Sequence, residues 1–316
     1  MRLNMPIINR LAHCNNVLIV GIGDGFDVLS ALPIYLELQM LGIQAHLATF
    51  SFINVPKLHD GIVLSDTLVG LTANDPELPY SPESFLTHWF KCERNEDVPI
   101  WCIHKTGAQP LIENYERLIA HLNIDGILLI DGGHDALMHG DEAEVSNFIE
   151  EALSLFAISQ LSQVSVKLLS CIGLGAEEKG ALGHVFKNIS RLTQLGAFYG
   201  ACALTPQMFS YQAFEDALLS SHAHPLQDQS VVNTSILSAV HGRYGNFHLT
   251  KKTAGTQLWI SPLMPIYWFF DAEKVAEDHL LLPALSHTFS FGEAVNAFHH
   301  SREVILGREE EMIPIL

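Results

Sequence analysis

The chain has 316 residues, a length that suits one large α/β domain or two modest ones. Its residues are 48% hydrophobic and 16% charged, a composition that predicts a sizeable core and excludes general disorder. The formal net charge of -18 argues against binding to nucleic acid or to an anionic membrane surface. The five cysteines include no C-x-x-C pair and the N-terminus lacks a signal-peptide pattern, so we expect a cytoplasmic protein, with homo-oligomerisation left open.

Short apolar runs alternate with amphipathic stretches through the first two thirds of the chain. The run NVLIVGI at 16–22 predicts a buried strand, and residues 27–41 predict a helix that Pro33 should bend or restart. A strand is predicted at 43–50, and the proline-containing segment 71–97 is expected to be an irregular lid or a cover for a sheet edge. Further strands are predicted at 98–104, 124–130 and 165–173, and further helices at 109–122, around 145–156 and at 178–195.

This alternation predicts βαβ units and therefore a Rossmann-like, doubly wound, mostly parallel sheet. We expect a single α/β domain with its core at about 14–205 and a helical C-terminal portion at about 206–316 packed onto that core. Within the C-terminal portion, NFHLTKKTAGTQLWISP predicts a hairpin or loop, and LWISPLMPIYWFFD at 258–271 predicts packed core.

Glycines and ionisable residues that could bind a ligand or act in catalysis follow the carboxyl ends of the predicted strands. Open parallel sheets bind their ligands at these ends. The first strand is followed by GIGDGFD and the fourth by DGGHD. If the strand order is the common 3-2-1-4-5, the first and fourth strands are neighbours. Asp24 and Asp27 would then face Asp131 and Asp135 across the point where the strand order reverses.

The GIGDGFD segment matches a dinucleotide-binding loop only in part. Gly21 and Gly23 fit the opening of G-x-G-x-x-G, but Phe26 stands at the third glycine position, and Ser51 stands where a ribose-binding acid would follow the second strand. The alternative is structural: Asp27 caps the N-terminus of the next helix and Asp24 lies in a turn. An NAD-dependent enzyme is therefore the weaker interpretation.

The segment LLIDGGHDALMHGDE at 128–142 concentrates six ionisable side chains after an apolar run. Asp131 and Asp135 are predicted to be catalytic and to hold a divalent cation, with His134 and His139 as further candidate ligands. Hard oxygen ligands favour magnesium or manganese over zinc. The acids at 141 and 142 are expected to begin a helix, where the helix dipole favours negative charge, and to have a structural role.

Several residues are predicted to bind a small anionic substrate. Glycines let the backbone approach a ligand closely, and GLGAEEKG after the fifth strand could add amides at a helix N-terminus. HGRYGNFHLTKK is the best basic segment in a chain poor in bases, although a solvated loop fits it equally well. The candidates are Gly21, Gly23, Asp24, Gly25, Gly132, Gly133, Gly173, Gly175 and Arg243.

Four segments together resemble the uncharacterised family called domain of unknown function 1152, found in archaea and bacteria. They are VGIGDGFDVLSALP, IDGGHDALMHGDE, HGRYGNFH and SPLMPIYWFFD. The resemblance does not indicate which activity the protein has. It supports the choice of the glycine-and-aspartate block and the D-G-G-x-D block as the site. His134 stands where the family pattern suggests a small hydroxyl residue. The positions that match the pattern are Gly21, Gly23, Asp27, Asp131, Gly132, Gly133, Asp135, Gly140, Asp141 and Glu142.

The leading functional hypothesis is an enzyme of metal-assisted hydrolysis or group transfer on a small phosphorylated or nucleotide-like substrate. Asp131 and Asp135 would hold the cation, and Asp27 would act as general base or as a further ligand. The alternative from another class is a nucleotide-binding sensor or interaction module without turnover, with the segment 71–97 as a moving cover.

Overall fold

Nine strands of the chain form one mixed, mostly parallel sheet. The computed structural model describes residues 5–23, 25–51, 53–54, 61–143, 148–176, 182–255 and 258–309. The strands are β1 Asn16–Gly21, β2 Gln44–Phe50, β3 Ile62–Ser65, β4 Leu68–Leu71, β5 Ile100–Ile103, β6 Gly126–Gly132, β7 Val166–Ile172, β8 Phe198–Ala203, β9 Gly245–Asn246, β10 Trp259–Ile260 and β11 Ile266–Asp271. The sheet order is β3-β4-β5-β2-β1-β6-β7-β11-β8, and β9 and β10 form a separate two-stranded hairpin.

Helices cover both faces of this sheet. They are α1 Met5–Leu11, α2 Asp27–Met40, α3 Pro82–Arg94, α4 Ala108–Leu122, α5 Ile149–Ser159, α6 Leu182–Gln194, α7 Phe209–Ala223, α8 Val231–Val240, α9 Ala272–Asp278 and α10 Phe291–Val304. One apolar core lies under α2, α3, α7 and α8, and the other under α4, α5, α6, α9 and α10. Val17 and Ile19 of β1 point into the first core and Leu18 and Val20 into the second, as expected of a strand buried on both faces.

The five central strands are parallel and lie in the order β5-β2-β1-β6-β7. In the numbering of the predicted strands this is the order 3-2-1-4-5. The strand order therefore reverses between β1 and β6, and the carboxyl ends of these two strands lie side by side. This edge of the sheet is where we expected a ligand site.

Two regions differ from the sequence prediction. The C-terminal portion is not only helical, because β11 inserts antiparallel between β7 and β8, and both β8 and β11 were missed. Each of these strands has only six residues, too few for periodicity to distinguish a strand from a buried helix. The segment 71–97 is irregular only in part, because its second half contains α3, a helix of 13 residues. Ser81 is the N-cap of α3, and Pro82 is at the first helical position, where its missing N–H costs nothing.

The other predicted strands and helices agree with the observed ones to within about four residues, although the predicted helix starts near 145 and 178 lie outside the described residues. The elements α1, β3 and β4 were not predicted. Pro33 lies inside α2, which continues as one helix through it, so no restart occurs. Among the residues that the structure describes, no helix has both the length and the apolar character needed to span a membrane. All five cysteines are free thiols.

Candidate active site

The candidate site lies at the carboxyl ends of β1 and β6, and glycines make room for it. A Cβ atom at Gly21 would lie 2.7 Å from Cβ of Asp27 and 2.9 Å from the backbone nitrogen of Val28. The first turn of α2 therefore packs directly on the end of β1, which only glycine permits. This contact fixes Asp27 above the sheet.

Asp27 is 4% exposed, and its carboxylate turns back toward the sheet. Its Oδ2 atom accepts a hydrogen bond of 2.8 Å from the backbone N–H of Gly23, and its Oδ1 atom would clash with a Cβ atom at Gly132. The helix cap is Phe26, which makes no side-chain cap hydrogen bond. The interpretation of Asp27 as a simple N-cap is therefore wrong: Asp27 is the first helical residue, and its carboxylate lies between β1 and β6.

Asp131 and Asp135 are contributed by the other side of the same edge. Asp131 is 2% exposed, and its Oδ2 atom accepts hydrogen bonds from the N–H of Ala136 at 2.8 Å and from the thiol of Cys171 at 3.5 Å. Asp135 begins a short 3₁₀ turn and is only half-buried. Burial raises the pKa of Cys171 well above 9.0, and the charges of Asp131, Asp135 and Asp27 raise that pKa further. Asp131 contacts this thiol, and Asp135 and Asp27 are close enough for their charges to act on it.

Glu151, in the first turn of α5, completes the group and was not identified from the sequence. It is 7% exposed, and its Oε2 atom has no hydrogen-bond partner. Its Oε1 atom and Oδ2 of Asp27 lie 2.7 and 2.8 Å from the point that a Cβ atom of Gly23 would occupy. We call Asp27, Asp131, Asp135 and Glu151 the carboxylate cluster.

Glu151 lies in surroundings that disfavour the ionised form of its carboxyl group. Burial raises the pKa of Glu151 well above 4.5, and the negative charges of Asp135 and Asp131 raise that pKa further. Burial and the neighbouring negative charges thus act in the same direction, toward the protonated form of Glu151. The sequence carried a signal for it, since Glu151 follows Phe148 by three residues and so interrupts an apolar helix face.

The two candidate histidines have different surroundings. His134 is 1% exposed, and burial lowers its pKa to about 4, so its ring is neutral; its Nδ1 atom has no hydrogen-bond partner. His139 instead contacts Asp141 at 3.1 Å through Nδ1 and approaches Asp278 to 4.0 Å through Nε2. The structure shows neither ring in contact with the aspartates of the carboxylate cluster.

The acids at 141 and 142 are structural, as expected, but not for the reason expected. Both lie in a loop before α5, which begins at Ile149, so neither begins a helix. Glu142 accepts hydrogen bonds from the backbone N–H groups of His139 and Gly140 at 2.8 Å, and Arg308 binds it at 2.9 Å. Glu142 thus closes its own loop.

Of the other residues predicted to bind substrate, some lie beside the carboxylate cluster and some have a packing role. Gly25 and Gly133 are buried in the turns beside the carboxylate cluster, and Asp24 lies outside the described residues. The amide of Gly173 already donates to the carbonyl of Met264 at 2.9 Å. Gly173 and Gly175 have φ values of +92° and +84° and pack against side chains of Val232 and Leu182, which is a packing role.

Arg243 is not brought to the carboxylate cluster. It follows the C-terminal end of α8, is exposed, and stacks its guanidinium 5.0 Å from the ring of Phe247. Asn233, at the opposite end of α8, is the residue that reaches the site region, because its side-chain amide donates to the carbonyl of Phe26 at 3.2 Å.

A second buried acid lies one strand away on the same edge. Ser51 directly follows β2, and its hydroxyl donates to Oε1 of Glu83, which α3 inserts there. Glu83 is fully buried, its Oε2 atom has no hydrogen-bond partner, and the thiol of Cys102 lies 3.9 Å from Oε1. Burial raises the pKa of Glu83 to about 7. The sequence has Ser51, not an acid, directly after β2, and in the structure Glu83 of α3 places a carboxyl group at this position.

No ready-made cation site is formed by the described part of the chain: there, no three His, Cys, Asp or Glu side chains are arranged to hold a metal ion together. What the fold and the site define is an α/β protein with a buried carboxylate cluster at the point where its strand order reverses.

The chain belongs to the family described as "Protein of unknown function (DUF1152)", whose match covers residues 84–306. This confirms the resemblance seen in the sequence. The matched region contains Asp131, Asp135 and Glu151, whereas Asp27 precedes it. No match was found among curated proteins, and none among solved structures.

Proposed function

We propose that the chain is an enzyme of metal-assisted hydrolysis or group transfer on a small phosphorylated or nucleotide-like substrate, acting at the carboxylate cluster. Glu151 is the general acid, which gives its proton to the oxygen of the leaving group. Asp27 is the general base, which takes a proton from the attacking water or hydroxyl group. Asp131 and Asp135 hold a divalent cation.

The observation that carries this proposal is the buried carboxyl group of Glu151, which lies beside the aspartates in surroundings that favour its protonated form. Its Oε2 atom has no hydrogen-bond partner, and its pKa is raised by burial and by the charges of Asp135 and Asp131. A buried carboxyl group with a raised pKa beside other carboxyl groups is a common arrangement of a catalytic acid. A general acid of this kind typically contributes about 100-fold or more to the rate.

The cation is proposed from the chemistry of the side chains. Magnesium and manganese prefer carboxylate oxygens, and magnesium usually keeps several water or substrate ligands, so Asp131 and Asp135 suffice as protein ligands. The cation would supply positive charge for a phosphate group in a chain whose net charge is -18. Substrate would enter beside Asp135, the least buried member of the carboxylate cluster.

Two further features support the fold and the cellular compartment proposed for this enzyme. The order β5-β2-β1-β6-β7, with helices on both faces, supports a Rossmann-like assignment, in which small ligands bind at the reversal of strand order. The five free thiols support a reducing compartment such as the cytoplasm.

The test is a screen of the purified protein for phosphate release from nucleotides and sugar phosphates, with magnesium, with manganese and with EDTA. We expect turnover that requires a cation and whose kcat/KM falls as the pH rises through the pKa of Glu151. Glu151→Gln should lower kcat by about 100-fold or more and abolish this alkaline decline.

Glu150→Gln is the matched control, because its carboxylate lies one residue away but binds Lys105 at 2.7 Å. It should retain most of the activity. Metal-dependent turnover with an unchanged pH profile in Glu151→Gln would contradict the assigned role of Glu151. Stabilisation by nucleotides without metal and without product would instead support the nucleotide sensor.

A further inference from the structure

A large apolar cavity lies on the α2 side of the sheet, away from the carboxylate cluster. Its volume is about 900 Å³, and α1, the C-terminal half of α2, β8 and β11 bound it, with Leu11, Leu38 and Phe269 in its lining. An α-helix rises about 1.5 Å per residue, so Glu37 in this lining lies about 15 Å along α2 from Asp27. The cavity has the size of a small-molecule pocket, for which about 300–1,000 Å³ is usual.

The polar side chains of this cavity are few, and most are already engaged. The buried hydroxyl of Ser210 donates to Oε1 of Glu37 at 2.6 Å, and the hydroxyl of Tyr267 donates to the carbonyl of Ser30 at 2.6 Å. Burial, followed by the charge of Glu37, raises the pKa of Cys202 to about 11, so that thiol stays neutral. Within the described part of the chain, the second carboxyl oxygen of Glu37 has no hydrogen-bond partner.

The chemistry of the cavity therefore selects one kind of ligand. An ionised carboxyl group only accepts hydrogen bonds, so a head group placed on Glu37 has to donate. The described lining contains no Lys, Arg or His, so an anionic head group would meet only the negative charge of Glu37. A cationic donor gains most from such a carboxylate, because charge-assisted hydrogen bonds are the stronger ones.

We propose that this cavity binds an amphiphile with an apolar tail and an amine head group, with the ammonium on Glu37 and the tail among the leucines and Phe269. This site is separate from the carboxylate cluster and does not depend on the function proposed for that cluster.

Calorimetric titration with dodecylamine, dodecanol and dodecanoate, each below its micelle-forming concentration, tests the proposal. We expect the amine to bind about tenfold or more tightly than the carboxylate, because a hydrogen bond to a charged group contributes at least one tenfold step. Glu37→Gln should remove this preference while dodecanol binding persists. Ala201→Phe, which fills the cavity, should weaken binding of all three.

A thiol-protection experiment keeps the proposal testable if the cavity-filling variant does not fold. Dodecylamine should slow alkylation of Cys202, which lines the cavity, and leave the exposed Cys92 unchanged as an internal control. Glu116→Gln, exposed on α4, is the control for the charge change and should keep the wild-type preference. Equal binding of amine and carboxylate, a preference that survives Glu37→Gln, or no protection of Cys202 would overturn the proposal.

Discussion

The fully buried Glu83 should make the folded state less stable as the pH rises through neutrality. Its pKa is raised from 4.5 to about 7 by burial, which outweighs the opposing hydrogen bond from Ser51. Between these two values the folded chain keeps a proton that the unfolded chain has released, so the free energy of unfolding falls with increasing pH. The rise of the pKa from 4.5 to about 7 corresponds to about 3 kcal/mol of stability, present below pH 4.5 and lost as the pH passes 7.

Glu83→Gln removes this titration while keeping an oxygen that can accept from Ser51. The new amide N–H group takes the place of the unpartnered Oε2 atom, at a pH-independent cost of about 1–3 kcal/mol. The informative quantity is therefore the slope, measured by urea unfolding from about pH 5 to about pH 8. The stability difference should move in the variant's favour by about 2.5 kcal/mol across this range. Glu116→Gln should keep the wild-type slope; parallel profiles for wild type and Glu83→Gln would refute the reasoning.

Three further predictions concern packing and buried charge. Gly132→Ala should lower stability by about 1–3 kcal/mol in thermal unfolding, because its Cβ would clash with a carboxylate of the cluster, whereas Gly292→Ala, with open space around it, should not. His134→Gln should reduce the loss of stability on acidification from pH 6.5 to about 4, since burial lowers the pKa of His134 to about 4 and the unfolded chain binds the proton first. Arg308→Ala should cost about 3 kcal/mol in urea unfolding, because it leaves the fully buried side chain of Glu142 without its cation.

The parallel core was predictable because its strands are buried on both faces and read as continuous apolar runs. Strands β8 and β11 were not, since FYGACA and IYWFFD are short and adjoin glycines or prolines that also mark loops. Their pairing depends on contacts between distant segments, such as Trp268 with Cys171 and with Ala201. Which residues pair is decided by the assembled sheet, so it cannot be predicted from the local sequence of either strand.

The site was located by the rule that ligands bind at the reversal of strand order. This rule predicted that Asp24 and Asp27 would face Asp131 and Asp135; in the structure the carboxylate of Asp27 lies against Gly132, the residue after Asp131, and Asp24 lies outside the described residues. Glu151 and Glu83 were missed because each lies in the first turn of a helix, where an acid has a structural explanation in the helix dipole. Only burial separates these two acids from an ordinary first-turn glutamate. Arg243 was chosen because the chain is poor in bases, a compositional reason that carries no information about position.

The position of Asp27 bears on which ligands the end of β1 accepts. In dinucleotide-binding proteins the pyrophosphate lies at the N-terminus of the helix after the first strand, on backbone N–H groups. Here the carboxylate of Asp27 already takes the N–H of Gly23, and Gly21 holds the first turn of α2 tightly against β1. A pyrophosphate in its usual place would have to displace this carboxylate and would be repelled by it. An acid–base enzyme fits this arrangement better than an NAD-dependent one, because it uses the carboxylate that a dinucleotide would have to remove.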